Sequence, residues 1–576
     1  MRKLLALALV VGFTAPALGT DISRNSHFQR GDTNQDFQIN IGDAINLLSF
    51  LFPPAGGGPV LECQDAADVN DDGNLNIADA VSLLAFLFSG AAAPPAPFTY
   101  YGADPTLDAL GCKTIPGPVA PASHIVGGGT GLVTANTVLT NDRTWLIDGL
   151  TFVEPGVTLT IEPGTTIVGN STSVTPSVLT FRRGDITMTT NTPNAMANFM
   201  GQVNAPVVFT SELRAGRRAP GNWGGVVFLG RAKNNIVDNG GEGEVEGLTG
   251  EFFGGGPGNL FANDNSGSIR FTRVEFGGFE LSPNNEINSI TLAAVGSATT
   301  FDHVQVKRNL DDGFEWFGGD VNGKFLIASF IDDDDVDYSF GYCGKLQFVV
   351  SHKASSTSDN GIEADNTESN FTNVPKTNPL IANISLIGRA HAADGTFSSA
   401  SSDVGMLQRR GVNGNVFNWI VSNWERGLQV TQQETCDGMG ATALGAAPAA
   451  SANLINDWGL EARDVIVEDI VCTAPGGATS FWFGLMSNNV CIGGGVDSAR
   501  SPVVSAEFDA TAIGYDFRTK TNAALTALNP AIVFPAPDPA AIDPFFTSAP
   551  YYGAVDPNAT AASAWTAQLW TDYTSN

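Results

Sequence analysis

The sequence predicts a mostly β chain: a parallel β-helix, in which short strands stack as successive coils, preceded by a small α-helical module. Three observations carry that expectation. Two gapless loop–helix segments stand near the N-terminus, thirty-six residues apart (Asp32 to Asp68). From His124 onward, short β-branched runs alternate with Gly, Asn and Pro-Gly corners, and no helical pattern separates them. An acidic motif then returns at intervals of 27, 22 and 26 residues, close to the length of one coil.

At 576 residues with 43% apolar content, the chain has room for two or more packed domains. It opens "MRKLLALALVVGFTAPALGTD", in which two basic residues precede an apolar run from Leu4 to Phe13 and then small residues. This reads as a secretory signal peptide over residues 1–19. The run is too short to span a bilayer, no later stretch is long enough, and no lipobox cysteine stands near the cut. A protein exported to the medium or the cell surface, with no transmembrane segment, is expected.

The formal charge is −30, with 59 acids against 29 bases. Such a surface repels phosphate backbones, which excludes nucleic acid as a partner class. It also repels anionic polysaccharide unless cations intervene. The acids are clustered, which points to divalent metal. Of six cysteines, Cys63 and Cys112 flank the second loop–helix segment and are expected to pair. Cys472 with Cys491 is the next expectation, and Cys343 in "FGYCGKL" reads as a buried thiol.

The two N-terminal segments read "GDTNQDFQINIGDAINLLSFLF" and "ADVNDDGNLNIADAVSLLAFLF". Each places oxygen ligands at loop positions 1, 3, 5, 9 and 12: Asp32, Asn34, Asp36, Asn40 and Asp43, then Asp68, Asn70, Asp72, Asn76 and Asp79. Gln38 and Asn74, at position 7, would contribute backbone carbonyls. Ca²⁺ takes six to eight hard oxygens at about 2.3–2.6 Å, and this spacing wraps one loop around one ion. Gly73 occupies the sharp-turn position that Phe37 fills in the first loop, so the first site is expected to be the weaker. The bland alternative is a pair of Asx-rich turns that bind nothing.

Position 12 is Asp where an ordinary EF-hand has Glu, and one helix follows each loop. Over residues 28–112 this resembles the type I dockerin family. The resemblance implies two Ca²⁺ ions and docking to a partner, a cohesin-like module or another protein. The helices carry "NLLSFLF" and "SLLAFLF" where cohesin-binding dockerins carry Ser/Thr pairs and basic residues. A Pro/Gly linker over 113–123, including "TIPGPVAPASH", separates this module from the domain expected over 124–576.

In the large domain Val157, Leu159 and Ile161 alternate with Thr158 and Thr160, a strand with one face inward. Strands so short bury a core only when coils stack. The recurring motif reads "NNEIN" (284–288), "DDGFE" (311–315), "DDDVD" (333–337) and "DNGIE" (359–363). Its apolar members Ile287, Phe314, Val336 and Ile362 are assigned to the core, and Asn288, Glu315, Asp337 and Glu363 stand beside them. "ERGLQ" (425–429) continues the series with Leu428 and Gln429. The segments "GVTLTIEPGTTIVG", "GNWGGVVFLGRA", "DDGFEWFGG" and "DDDDVDYSFGY" resemble secreted right-handed parallel β-helix proteins of the pectin-lyase-like fold. More closely, they are similar to a group of exported proteins of planctomycetes and bacteroidetes. That resemblance implies a fold and export, and no activity.

Stacked coils lie about 4.8 Å apart, so Asp311, Asp312, Asp333, Asp334, Asp335 and Asp359 should crowd one edge. Such carboxylates repel unless a cation or a proton intervenes. Three outcomes stay open: Ca²⁺ bridging the coils, catalysis on a glycan, or acids that cap corners by accepting backbone N–H groups. For catalysis the candidates are Asp311, Asp312, Asp334, Asp335 and Lys353; Arg409 and Arg410 join them only if the coils bring them near. The Gly-His-Gly and Arg-Ile-Lys segments of polygalacturonase-like enzymes and the pectate lyase arginine motif are absent. Trp316, Phe317, Tyr338 and Tyr342 either stack on sugar rings or fill the coil core. The Gly-rich insertion over 239–267 reads as a loop across one face, where binding would concentrate.

The leading expectation is therefore an extracellular calcium-binding scaffold that binds carbohydrate or a partner. The alternative is a polysaccharide lyase or glycoside hydrolase, and the third class is a self-associating matrix component.

Overall fold

In the computed structural model the chain forms two compact units, Met1–Val119 and Ala120–Asn576. Within the first, the structure describes residues 22–23 and 28–113 apart from 29, 35–38, 54–56, 62, 97, 99–105, 107 and 109. Within the second it describes 124–388 apart from 172–176, 214–215, 256–260, 262, 283–284 and 354–358. It also describes 404–435 apart from 414, 423, 425 and 433, and then 459–461, 490–491, 503–505, 515–528 and 534–573. The expected signal peptide, the linker from residue 114, Asp36, Gln38 and Cys472 lie outside the described residues, and with Cys472 the Cys472–Cys491 pairing.

The first unit is built on helices α1 (Ile41–Leu51), α2 (Gln64–Ala67) and α3 (Ile77–Ser89). Asn40 and Asn76 cap α1 and α3, and Asp43 and Asp79 answer each cap by accepting the cap's own backbone N–H. These reciprocal capping boxes satisfy donors that a helix start otherwise leaves orphaned. Leu47 of α1 and Leu83 of α3 are fully buried. Two-residue strands at Ile22–Ser23 and Cys112–Lys113 pair antiparallel, and a disulfide joins Cys63 to Cys112. No helix among the described residues is long and apolar enough to cross a membrane.

The second unit is a solenoid of two parallel sheets facing one another across a continuous core. The shorter sheet takes one strand per coil, running through 178–181, 226–229, 290–293, 314–317, 336–339, 362–364, 404–408 and 426–430. The longer sheet takes the return strands, among them 267–275, 300–307, 322–329, 345–352 and 380–387. Phe314, Val336 and Ile362 face inward and are fully buried, as do Trp316 and Tyr338 beside them; Tyr342 joins the same core. Three of the four weighed aromatics thus fill the coil interior. Phe317, on the outward face of its strand, stacks on Phe253 at 5.7 Å.

The repeat register differs from the sequence reading at two points. Ile290, not Ile287, pairs with Phe314, and Thr291, not Asn288, pairs with Glu315. Within the "NNEIN" segment Asn285–Glu286 pair antiparallel with Glu280–Ser282, and the coil strand begins only at Ile290, three residues after Ile287. Further on, the coil strand 404–408 sits between 362–364 and 426–430, so Met406 separates Ile362 from Leu428, and Leu407 separates Glu363 from Gln429. Its sequence, "VGMLQ", carries no acid to betray it.

Each long return strand bends at one non-glycine residue of positive φ: Phe271, His303, Phe325, Phe348 and Asn383, stacked one per coil. Left-handed backbone disfavours side chains with a Cβ. Here the first four rings stack at 4.3, 4.3 and 4.8 Å between centroids, which offsets part of that cost. The described residues beyond 515 add no coils. They cross the outer face of the longer sheet, burying Phe517, Tyr552, Val555 and Trp570 against Ile327, Val350, Ile387 and Ile420.

Candidate functional site

The acidic motif builds a groove on the outer face of the shorter sheet. Strands 314–317, 336–339 and 362–364 are neighbours in register, so Glu315, Asp337 and Glu363 form one outward row. Phe317 and Ser339 pair in the next outward row, and Asp365 and Arg409 follow just beyond the ends of their strands. Alternation along a strand explains why the neighbours Phe314, Val336 and Ile362 point the other way.

Just before each strand, the chain turns a corner held by a second ladder. Asp312 N donates to Asn288 Oδ1 at 3.1 Å, Asp334 N to Asp312 Oδ1 at 3.0 Å, and Asn360 N to Asp334 Oδ1 at 2.7 Å. One oxygen of Asp312 and one of Asp334 are therefore corner caps. Asn288, although out of the expected register, donates through Nδ2 to Glu315 Oε2.

Carboxylate oxygens of these and neighbouring acids also converge. Four overlapping trios each bring ligand atoms within 4.8 Å of one another: Asp311–Asp312–Asp333, Asp312–Glu315–Asp337, Asp333–Asp334–Asp359 and Asp334–Asp337–Glu363. Burial first, and then the charges of their neighbours, raise Asp312, Glu315, Asp334 and Asp337 well above the ordinary carboxylate range. Burial also lifts Glu363 to about 7, against the pull of Arg409 and with the push of Asp365, Asp333 and Asp359. A cluster of this kind holds protons or a hard cation at neutral pH.

Two candidates sit elsewhere. Asp335 turns inward to accept from Ser351 Oγ, and its Oδ1 lies 3.3 Å from Lys353 Nζ. Lys353 also donates to the carbonyls of Ile331 and Asp333, and neither side chain of the pair reaches solvent. Lys353 is thus a buried counter-ion that ties two coils and does not face the groove. The coils do bring Arg409 and Arg410 to it: Arg409 pairs with Glu363 and Asp365, and Arg410 with Asp365 at 2.5 Å and Glu368 at 3.4 Å.

Part of the Gly-rich insertion walls the groove. Glu242–Glu244 and Phe252–Gly254 pair as a hairpin, placing Glu244, Glu246 and Phe253 over a cavity of about 420 Å³. Its floor carries Glu315, Phe317, Asp337, Ser339 and Glu363, and Arg409 and Arg410 line it as well. A larger space of about 950 Å³ shares Glu315, Asp337 and Glu363 and runs on over Asp311, Asp312, Asp333 and Asp334.

In the N-terminal unit, Asp32, Asp43, Asp68 and Asp79 are all buried. Asp43 accepts from Thr33 N, Asn34 N and Asn40 N, and Asp79 from Asn70 N and Asn76 N, so each position-12 acid draws its own loop closed. Asp68 accepts from Asp72 N and Gly73 N, with Gly73 at φ +75°. Asn70 and Asp72 accept within the loop as Asx turns do, and the Asn74 carbonyl accepts from Asn76 Nδ2. Burial lifts Asp79 to about 6, opposed by its backbone donors and aided by the charge of Asp68.

Three residues that the loop pattern does not mark join this site. Asp71 and Asp108 group with Asp68 within 4.8 Å. The fully buried Arg30 donates to the Asp68 carbonyl at 2.7 Å and pairs with Asp71 at 3.0 Å. Asp108 stands forty residues beyond Asp68, beyond the reach of any loop spacing. Cys343 is half-buried, its Sγ directed to the Gly319 carbonyl, and burial raises its pKa.

Comparison with curated proteins found no match, and comparison with solved structures found none. The family described as "Pectate-lyase like beta helix domain" matches residues 131–473, more than half of the chain and all of the acidic groove. The chain belongs to the pectate-lyase-like β-helix domain family.

Proposed function

We propose that this is an exported calcium-binding protein whose solenoid groove binds polysaccharide through Ca²⁺ held on the acidic ladder. The observation that carries the reading is the set of four overlapping carboxylate trios in one groove. All their ligands are hard oxygens, with no His or Cys among them, which favours Ca²⁺ over the borderline transition metals. Hydroxyls of a glycan could complete the ions' coordination. In the N-terminal unit, the dockerin-like loops would hold two further Ca²⁺ ions, with Asp71 and Asp108 beside Asp68 at the second, and the helices would dock a cohesin-like or other partner.

Calcium stoichiometry by calorimetry tests this on the full mature protein. More ions than the two loops can hold are expected, and the surplus should vanish in the double variant Asp312→Asn/Asp334→Asn. The loop ions should vanish instead in Asp43→Asn/Asp79→Asn. A stoichiometry indifferent to the groove variant would make the ladder a set of protonated corner caps.

A second reading, polysaccharide lyase, is favoured by one observation: Arg409 and Arg410 line the acidic groove. A cation with a basic residue could support β-elimination from a uronide. Calcium-dependent release of unsaturated oligouronides from polygalacturonate, lost on chelation, would establish it; no release sinks it. Asp335 and Lys353 drop out of any catalytic set because each neutralises the other away from the groove. A hydrolase reading would rest on Asp311, Asp312 and Asp334 alone.

A further inference from the structure

Resting on the reading of the N-terminal helices as a docking element, we propose that their occupant is a second copy of this chain, the two helix pairs packing face to face as four helices. Where α1 and α3 meet solvent they are apolar. Ile41, Ile45 and Phe52 on α1 and its C-cap, and Ile77, Val81 and Phe88 on α3, are each more than half exposed. Spaced by four and then seven residues, each trio lines one face of its helix. The second trio repeats the first thirty-six residues on. Single exposed apolar residues are ordinary, whereas the same row on two adjoining helices marks an interaction surface.

The packing sets both rows on one side. Ala44 shares a core cluster with Leu83, and Leu47 shares one with Ala80. Ala80 and Leu83 are themselves the equivalents of Ala44 and Leu47, so the helices run antiparallel and exchange under a local two-fold normal to the pair. That operation leaves the normal direction unchanged, and the two equivalent rows therefore face the same way. Leu61, Ala67 and Val69 complete the buried clusters from within the unit, while the two rows stay open.

Charge and symmetry select the occupant. The chain carries −30, so two copies repel wherever their carboxylates face each other. The only charged residues of α1 and α3 are Asp43 and Asp79, and both are buried as caps. A face without charge is where two anionic copies can meet, and it offers no ion pair by which a charged partner would be oriented. A two-helix layer with one open apolar side is completed by another such layer. Two identical faces meeting about a two-fold in their plane set each row against its own equivalent, as an isologous contact requires. The thirteen residues of α3 span about 20 Å, and two helices side by side then give roughly 400 Å² per copy, about half of a standard interface. A face that small predicts a weak, concentration-dependent dimer.

The test is sedimentation equilibrium on the full chain in calcium buffer, from about 1 to about 200 μM, where a monomer–dimer equilibrium is expected. Ile45→Glu/Val81→Glu, at exposed positions, should shift it roughly tenfold or more toward monomer at unchanged helix content by circular dichroism. The milder Phe88→Ser should shift it a few-fold in the same sense. Val138→Glu/Met200→Glu adds the same two charges at exposed positions of the solenoid and should leave the equilibrium where it was. A monomer throughout, a dimer indifferent to the helix variants, or equal weakening by the solenoid variant would each overturn the proposal. A monomer that binds an added cohesin module through Ile45 and Val81 would overturn the second copy and keep the docking reading. A monomer that binds no cohesin, or that floats with phosphatidylcholine vesicles, would remove both.

Discussion

The two outer faces of the solenoid have opposite fates. On the longer sheet, the chain's last described segment lies across the coils and their outward side chains serve as its hydrogen-bonding partners. Gln305 exchanges two bonds with the backbone of Asp572, Gln347 two with Thr547, and Asn383 donates to the Tyr551 carbonyl. Trp565 and Trp570 then meet the ring stack edge-on. On the shorter sheet, the equivalent outward positions hold carboxylates that repel one another and polar atoms left without partners. Both faces arise from the same stacking rule, which repeats whatever each coil presents at one spacing. Repeated amides and rings make a seam that closes on the chain itself. Repeated acids make a groove that closes only on something else.

Removing the cover should have the largest effect. Trp570 is fully buried against Phe271 and His303, so Trp570→Ala is expected to cost about 3–5 kcal/mol, read by denaturant melts. Calcium uptake by the groove should survive in the folded variant; its loss would show that the faces are not independent. Lys353→Met comes next, at about 3 kcal/mol at neutral pH, because it strands the buried Asp335. Asp335 sits at about 6 even with its partner present, so the cost should shrink as pH falls and the acid takes up a proton. A pH-independent loss would point to packing instead.

The groove should respond with the opposite sign. Asp334→Asn keeps the cap on Asn360 N and replaces a buried acid that must take up a proton on folding, so the calcium-free protein should gain about 1 kcal/mol at neutral pH while binding calcium more weakly. A destabilised variant would mean that the carboxylate is needed for the fold itself. The wild-type pH profile follows from linkage. Glu363 keeps its proton in the folded state up to about 7, whereas the unfolded chain loses it near the ordinary carboxylate value. Its contribution is therefore fully present at acid pH and is lost as pH rises from about 4.3 toward about 7. Calcium-free melts should show that decline, and saturating calcium should flatten it. Smallest of all, Glu368→Ala removes a largely exposed partner of Arg410 and should change stability by less than about 0.5 kcal/mol.

Much of this was legible in the residues because both repeats announce themselves locally. The spacing of Asp68 to Asp79 draws the acids of one loop together, while the capping roles of Asn40, Asn76, Asp43 and Asp79 emerged only with the structure. Alternation put Phe314, Val336 and Ile362 inside and Glu315, Asp337 and Glu363 outside, and the return of the motif brought the acids to one edge. What the sequence could not decide was register and closure. A strand pairs by backbone hydrogen bonds that any residue can make, so Ile287 could not be told from Ile290 as the partner of Phe314. The acid-free coil 404–408 passed unseen for the same reason.

Closure was hidden because it joins residues far apart in the chain. Lys353 looked available until folding set it beside Asp335, and Arg409 looked remote until the next coil returned it to Glu363. Trp570 reaches His303 across more than two hundred residues, and Asp108 and Arg30 reach Asp68 from outside its loop. Periodicity by itself determined that this chain stacks and that one edge is acidic. Only the tertiary structure decided which face the chain covers with its own end and which it leaves open, since that depends on long-range contacts with no period to read.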